Sequence, residues 1–245
     1  MKKIIIIGAT SGIGRGLAEV YSQEDYLIGI TGRRENLLEE VCARDQDLKG
    51  ECQNSVFENM CDITDTQATI SSLETLTQKM GGMDILIICA GTGELNPELS
   101  YQLEEPTLLT NVIGFTNIAD WGFRYFEQQK SGHLVTISSV GGTHGSGIAP
   151  AYNASKAYQI NYMEGLRQKA TKSPYSIYTT DIRPGFVDTA MAKGEGLFWV
   201  TPVDKAVKQI KKAISKKKKV AFISKRWRYV TILFRLLPSA IYCRM

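Results

Sequence analysis

Short apolar runs punctuate the chain at intervals, and stretches with helical spacing separate them. The first run, Ile4 to Ile7, is four consecutive β-branched residues. It is too short for a buried helix and reads as a strand covered on both faces. Similar runs predict further strands over Tyr26 to Thr31, Val56 to Met60, Asp84 to Cys89, Gly132 to Ser138, Ser176 to Ile182 and Val220 to Ile223. Helices are predicted over about Gly14 to Ser22, Glu35 to Arg44, Asp65 to Met80, Thr107 to Gln129, Ala151 to Ala170 and Pro202 to Ser215. Ile70, Leu73 and Leu76 mark the apolar side of the third helix, and Gly81-Gly82 ends it. Strands alternating with helices, with no clear linker, predict an α/β domain on a doubly wound parallel sheet of about seven strands. Crossovers are then right-handed, and a ligand belongs beyond the carboxyl ends of the strands.

The segments at those strand ends carry the candidate chemistry. Gly8-Ala9-Thr10-Ser11-Gly12-Ile13-Gly14 joins the first strand to the first helix. Gly8 allows a sharp turn, Gly12 lets backbone approach a pyrophosphate, and Gly14 lets the helix pack on the strand. The helix N-terminus adds free N–H groups and a partial positive charge. Thr31 stands at the end of the second strand, where a carboxylate would bind the ribose of NAD. Gly32-Arg33-Arg34 follows, and an arginine fork matches a phosphate, so NADP is expected over NAD. The alternative is a solvated basic turn. Asp62 could accept from an adenine amino group, or it could cap the next helix, as could Thr64. Ala90-Gly91, Ser138-Ser139 and Pro184-Gly185 follow later strands, so all of these converge on one predicted site.

Tyr152 and Lys156 lie four apart on a predicted helix and share a face. An ammonium beside a phenol favours the phenolate, which would lower the tyrosine from about 10 and make it an acid or base near neutrality. Tyr152 is the only one of eleven tyrosines with lysine at that spacing, although an ordinary surface pair has the same pattern. Ser139 could donate to a substrate carbonyl or hold an oxyanion. Ser138 competes for that role, and a turn serine is the plain alternative for both.

Gly8…Gly12-x-Gly14, Asp62, Ala90-Gly91, Asn111, Ser139, Tyr152-x-x-x-Lys156 and Pro184-Gly185 resemble the classical short-chain dehydrogenase/reductase pattern, from Lys2 to about Ile223. The resemblance implies a Rossmann-like fold and hydride transfer between a nicotinamide cofactor and a small-molecule carbonyl or alcohol. It makes Tyr152 the proton donor and gives Lys156 the tasks of lowering its pKa and bonding the nicotinamide ribose. Ser139 would orient the carbonyl, and Asn111 would hold a water linking Lys156 to solvent. Thr189, after Val187-Asp188, would meet the nicotinamide carboxamide. Cofactor contacts would extend to Thr10, Ser11, Ile13, Arg34, Ile63 and Val187. Cys89 departs from the family asparagine, and Ile7 stands where a threonine usually precedes the first glycine. A dinucleotide sensor without turnover is the competing function. The resemblance also implies a homodimer or homotetramer.

Composition refines this picture. At 245 residues, 43% hydrophobic and 22% charged, the chain is ordinary for a globular protein. Lys2-Lys3 and the isoleucines imitate a secretory leader but are too short, and no apolar run approaches a membrane span. Cysteines at 42, 52, 61, 89 and 243, with only two histidines, predict no zinc site and a reducing, cytoplasmic setting. His144 is a candidate substrate contact, and Phe198 and Trp199 are candidates to cover an apolar substrate. The net charge of +4 hides an asymmetry: positions 205–245 hold 13 basic and no acidic residues, the rest 16 against 25. Beyond a domain at 1–224, the tail at 225–245 places Trp227, Val230, Phe234, Leu237 and Ile241 on one helical face. That stripe suits contact with an anionic membrane, or docking on the body or a second subunit. Nucleic acid is not an expected partner, because the body is acidic.

Overall fold

A computed structural model describes residues 1–49, 56–192 and 198–244. In chain order it runs β1 (Lys2–Ile7), α1 (Gly12–Ser22), β2 (Tyr26–Gly32), α2 (Glu35–Lys49), β3 (Val56–Met60), α3 (Thr66–Met80) and β4 (Ile85–Ile88). It continues with α4 (Tyr101–Leu108), α5 (Phe115–Gln129), β5 (Ser131–Ile137), α6 (Pro150–Lys172), β6 (Ser176–Pro184), α7 (Val203–Ser215), β7 (Val220–Ile223), α8 (Trp227–Leu236) and α9 (Ser239–Tyr242). All seven strands pair in parallel, in the order β3-β2-β1-β4-β5-β6-β7. The order reverses direction between β1 and β4, which opens a crevice at their carboxyl ends.

The isoleucines of β1 explain the two-layer cover. Ile4 and Ile6 face one core with Leu17, Ala18, Val207 and Ile210 of α1 and α7. Ile5 and Ile7 face the other with Leu73, Phe115, Ile118 and Met163 of α3, α5 and α6. A strand buried on both sides has no solvent face, so its sequence shows no alternation. Each fully buried isoleucine contributes roughly 1.5–3 kcal/mol.

The expected single helix from Thr107 to Gln129 is instead three pieces. α4 begins at Tyr101 and carries Pro106 inside it. Leu109–Gly114 is a π-helical turn, and α5 follows. Pro106 misleads a sequence reading because proline usually marks a helix start. The third helix is capped by Asp65, whose carboxylate accepts from Ala68 N at 3.0 Å, and not by Asp62 or Thr64.

The tail packs on the body. The Trp227 indole is buried against Phe186, Phe198 and Trp199, with ring centroids 5.4, 5.3 and 5.9 Å away. Phe234 and Tyr242 flank the His144 ring at 5.7 and 4.9 Å, and the Tyr242 hydroxyl donates to Gly145 O at 2.5 Å. Trp227 and Phe234 of the expected stripe therefore form the inner side of α8. Tyr229, Ile232, Leu233 and Leu236 form an exposed outer side that is also apolar.

Candidate active site

The loop after β1 is built to receive an anion. Gly8 has φ +86°, and an added Cβ there would lie 2.7 Å from Ala90 N. The Gly8 and Ala9 N–H groups donate to Thr31 O, both at 2.9 Å, which ties the loop to β2. Ser11 occupies the N-cap of α1 but makes no side-chain cap, and the first turn contains no acidic residue. The first N–H groups of α1 therefore have no side-chain cap, and with the helix dipole they suit a phosphate. Ser11 Oγ and Thr10 Oγ1 instead accept from Arg34 Nη2 at 2.9 and 2.7 Å. Arg33 is exposed, its Nη1 3.9 Å from Asp62 Oδ2. Asp62 Oδ1 accepts from Thr64 N and Thr64 Oγ1. Ile63 is buried beneath the π turn, where an added Cβ at Gly114 would meet its carbonyl at 2.5 Å. An uncapped helix end with the Arg34 guanidinium on its Thr10-Ser11 approach fits a phosphate of a dinucleotide.

The crevice floor gathers the candidate reacting groups. An added Cβ at Gly91 would lie 3.3 Å from both Asn111 Oδ1 and Lys156 Nζ, and one at Gly93 would overlap the Tyr152 ring. So Ala90-Gly91, the π turn and α6 meet at one point. The Ser139 hydroxyl and the Tyr152 ring meet here: an added Cβ at Gly141 would lie 3.3 Å from Ser139 Oγ and 3.6 Å from Tyr152 Cε1. Ser139 caps the 3-10 turn Val140–Thr143 by accepting from Gly141 N at 3.0 Å. Ser138 is engaged elsewhere: its Oγ lies 2.5 Å from Asp181 Oδ1 and 3.0 Å from Ile182 O, in the core. Buried Asp181 also pairs with Arg183 at 2.7 Å.

Lys156 is buried, with Nζ donating to Ile137 O at 3.1 Å and to Gln159 Oε1 at 3.0 Å. Burial pushes its ammonium down to about 8, against the opposing pull of Asp181 and Cys89. In this arrangement burial dominates the Tyr152 phenol. Burial raises the phenol, and the neighbouring Ser139 hydroxyl offsets this only in part. The ammonium stands 5.9 Å from the Tyr152 ring centroid, and its bonds go to Ile137 and Gln159. Asn111 Oδ1 accepts from Thr92 N at 2.9 Å, and its Nδ2 donates to Thr92 O and Ser155 Oγ at 2.7 and 3.0 Å. The Asn111 carbonyl accepts from Gln159 Nε2 at 2.9 Å. Sequence reasoning missed Gln159. Its signal was a third polar residue, one turn after Ser155 and Lys156, on the face of α6 that continues through Ile160, Met163 and Leu166.

A family model described as short chain dehydrogenase matches residues 2–197. The chain belongs to the short-chain dehydrogenase family. An uncharacterized oxidoreductase of Mycobacterium tuberculosis is 32% identical over 193 residues, 78% of this chain and 75% of that one. Another, of Staphylococcus saprophyticus, is 30% identical over 193 residues, 78% of this chain and 80% of that one. A short-chain dehydrogenase from Sphingobium yanoikuyae, solved in complex with NADPH, has a TM-score of 0.81 at 22% identity, with 98% of both chains covered. ElxO with NADP bound has a TM-score of 0.76 at 21% identity, covering 91% of this chain and 96% of that one. At these identities the two structures establish the fold. As a short-chain dehydrogenase the chain is an NAD(P)-dependent oxidoreductase acting on CH–OH and C=O groups.

The remaining predicted positions of this short-chain dehydrogenase surround the same crevice. The segment after β6 crosses the glycine loop: an added Cβ at Gly12 would lie 3.1 Å from the Thr189 methyl. Thr189 Oγ1 donates to Val187 O at 3.3 Å. Gly185 has a different neighbour, because its Cβ would fall 2.0 Å from Trp227 Nε1. Phe198 and Trp199 are half exposed, and the Arg226 guanidinium lies 4.7 Å from the Trp199 ring centroid. Their neighbours Gly194, Gly196 and Leu197 lie outside the described residues, as does Cys52. The Cys89 thiol is held neutral, pushed up to about 12 by burial. His144 packs between the tail aromatics. Among the described residues no cluster could hold a metal, and no helix is long and apolar enough to cross a membrane.

Proposed function

We propose that this enzyme interconverts a carbonyl and an alcohol with NADP(H), using Tyr152 to pass the proton. The observation that carries the proposal is the meeting of the Ser139 hydroxyl, the Tyr152 ring and the Lys156 ammonium on the crevice floor. When bound, the dinucleotide supplies or takes the hydride. Ser139 orients the substrate oxygen, since its own acceptor site is already used by Gly141 N–H. Tyr152 gives its proton to that oxygen, and the Lys156 ammonium stabilises the phenolate left behind. Asn111 fixes the Thr92 strand end and the π turn beside them. Gly8, Gly12, Ile13, Gly14, Ala90 and Gly91 frame the pyrophosphate and nicotinamide, with Asp62 and Ile63 at the adenine end. Pro184, Val187 and Thr189 close the opposite wall. Preference for NADP rests on Arg34 beside Thr10 and Ser11 and on the exposed Arg33 near Asp62, where no carboxylate ends β2. The half-exposed Phe198 and Trp199 favour an apolar substrate.

NADPH oxidation with a panel of ketones tests this. Tyr152→Phe is expected to lower kcat by about 10²–10⁴-fold. Turnover within threefold of the parent would overturn the assignment.

The outer side of α8 supports peripheral contact with an anionic membrane. Tyr229, Ile232, Leu233 and Leu236 are 46–76% exposed, and Lys225, Arg226 and Arg228 border them. Exposed Leu103, Leu109 and Ile113 support self-association as a homodimer or homotetramer. Light scattering should report two or four copies. The full chain should float with anionic vesicles and lose that on changing the four α8 residues to serine. Equal flotation of both proteins rules the contact out.

A further inference from the structure

We propose that Gln159 is the positioning residue for Lys156, a carboxamide clamp fixing the ammonium to the Asn111 carbonyl. The inference rests on the reading of Tyr152 and Lys156 as the proton-transfer pair.

Gln159 lies one turn after Lys156 on α6 and is 1% exposed. A buried carboxamide with an unmet partner costs about 1–3 kcal/mol, so its bonds decide its orientation. An ammonium only donates and a carbonyl only accepts. The amide must therefore turn its oxygen to Lys156 Nζ, at 3.0 Å, and its nitrogen to Asn111 O, at 2.9 Å. The reversed amide would set a donor against a donor and an acceptor against an acceptor.

The anchor is itself rigid. Asn111 lies within the π turn, and the Phe115 N–H at its end bonds to Thr110 O and Val112 O, not to Asn111 O four residues back. Three side-chain bonds to Thr92 and Ser155 hold Asn111 from the other side. π turns recur at functional sites, and this one presents a main-chain carbonyl to α6. With Ile137 O as the second acceptor, two of the three Lys156 donors have fixed partners. One donor is left for the crevice. The resemblance implied a water between Asn111 and Lys156; here a side chain spans that distance. A water can take up and pass on a proton, whereas a neutral carboxamide holds its partner without doing so. The clamp sets where the ammonium sits and how firmly it stays charged.

The groups facing Lys156 are Tyr152 on its own helix, Asp181 on β6 and Cys89 at the end of β4. None of them changes in the test. Lysine is labelled at Cε in the full-length protein, and Lys156 is assigned by loss of its signal in Lys156→Arg. Its titration is followed by NMR in the parent, Gln159→Met and Gln159→Glu. Methionine keeps the bulk and removes the acceptor, so the Lys156 midpoint should fall by about one pH unit. Glutamate keeps the acceptor and adds charge, so the midpoint should rise by a similar amount. The alkaline limb of kcat for NADPH oxidation should move in the same two directions. Midpoints that coincide in all three proteins would overturn the clamp, as would equal shifts in the same direction. If methionine prevents folding, the glutamate variant alone decides by the sign of its shift. The titration needs no turnover, so it separates failure of the clamp from failure of the Tyr152 assignment.

Discussion

Replacing Gly185 with alanine puts a methyl group where the indole of Trp227 already stands. The new Cβ would lie 2.0 Å from Nε1, 2.2 Å from Cε2 and 2.3 Å from Cδ1. Carbon contacts relax only near about 3.5–4.0 Å, so the ring must retreat by roughly 1.5 Å. Phe186 and Phe198 pack against it, and the Gly185 N–H is held by Ile223 O at 2.6 Å. The strain is therefore relieved by undocking Trp227, and α8 with it. Emptying a tryptophan site costs about 3–5 kcal/mol. At about 2–4 °C per kcal/mol for a chain of this size, Gly185→Ala should lower Tm by roughly 6–20 °C. Calorimetry measures the shift, and a red-shifted tryptophan emission reports the exposed indole. Trp227→Ala should fall in the same range. The double variant should be no worse than the more damaging single, because both remove one contact. Strict additivity, or a Tm within 1 °C of the parent with unshifted emission, would refute the reasoning. If the glycine instead served the dinucleotide, NADPH affinity would fall while Tm stayed constant.

The other predictions concern the cofactor and pH. Arg34→Ala and Arg33→Ala should each raise KM for NADPH about tenfold or more while leaving KM for NADH within twofold, since each removes a charge-assisted bond to phosphate; an unchanged NADPH/NADH ratio in both would sink the preference. His133 is buried beside Thr180 and pushed down to about 4 by burial, with Lys217 and Lys2 adding to the effect. The unfolded chain titrates near about 6.5, so below that it binds a proton that the folded chain refuses. The stabilisation is whole above about 6.5 and is lost as pH falls toward 4, by roughly 3 kcal/mol at about 1.4 kcal/mol per unit. Urea midpoints from pH 7 to 4 should fall less steeply in His133→Asn, and parallel curves would contradict the prediction.

Much of the molecule was legible because its signals are local in the chain. Ile4 to Ile7 reads as a strand because a strand covered on both faces needs an unbroken apolar run, and both cores accept it. The crevice was legible because parallel topology puts every strand's carboxyl end on one edge. Thus Gly8, Ser139 and Tyr152 could be joined before any distance was known. The π turn left no such mark: Leu109–Gly114 differs from an α-helix in which carbonyl each N–H reaches, not in composition. The partners of Lys156 left no mark either, because i,i+4 spacing fixes a face shared with Tyr152 but not which acceptors the ammonium bonds.

The tail shows the same boundary from the other side. The spacing of Trp227 and Phe234 found a real apolar face, and packing on the body accounts for it. Tyr229, Ile232, Leu233 and Leu236 repeat at the same helical spacing on the opposite side, and nothing within the described residues covers them. Periodicity identifies a face that wants burial; it does not name what buries it. Once the body has taken the inner face, the membrane argument passes to the outer one, with its cationic border. Gly185 is what makes that division possible: a side chain there would expel Trp227 and leave both faces of α8 without a partner.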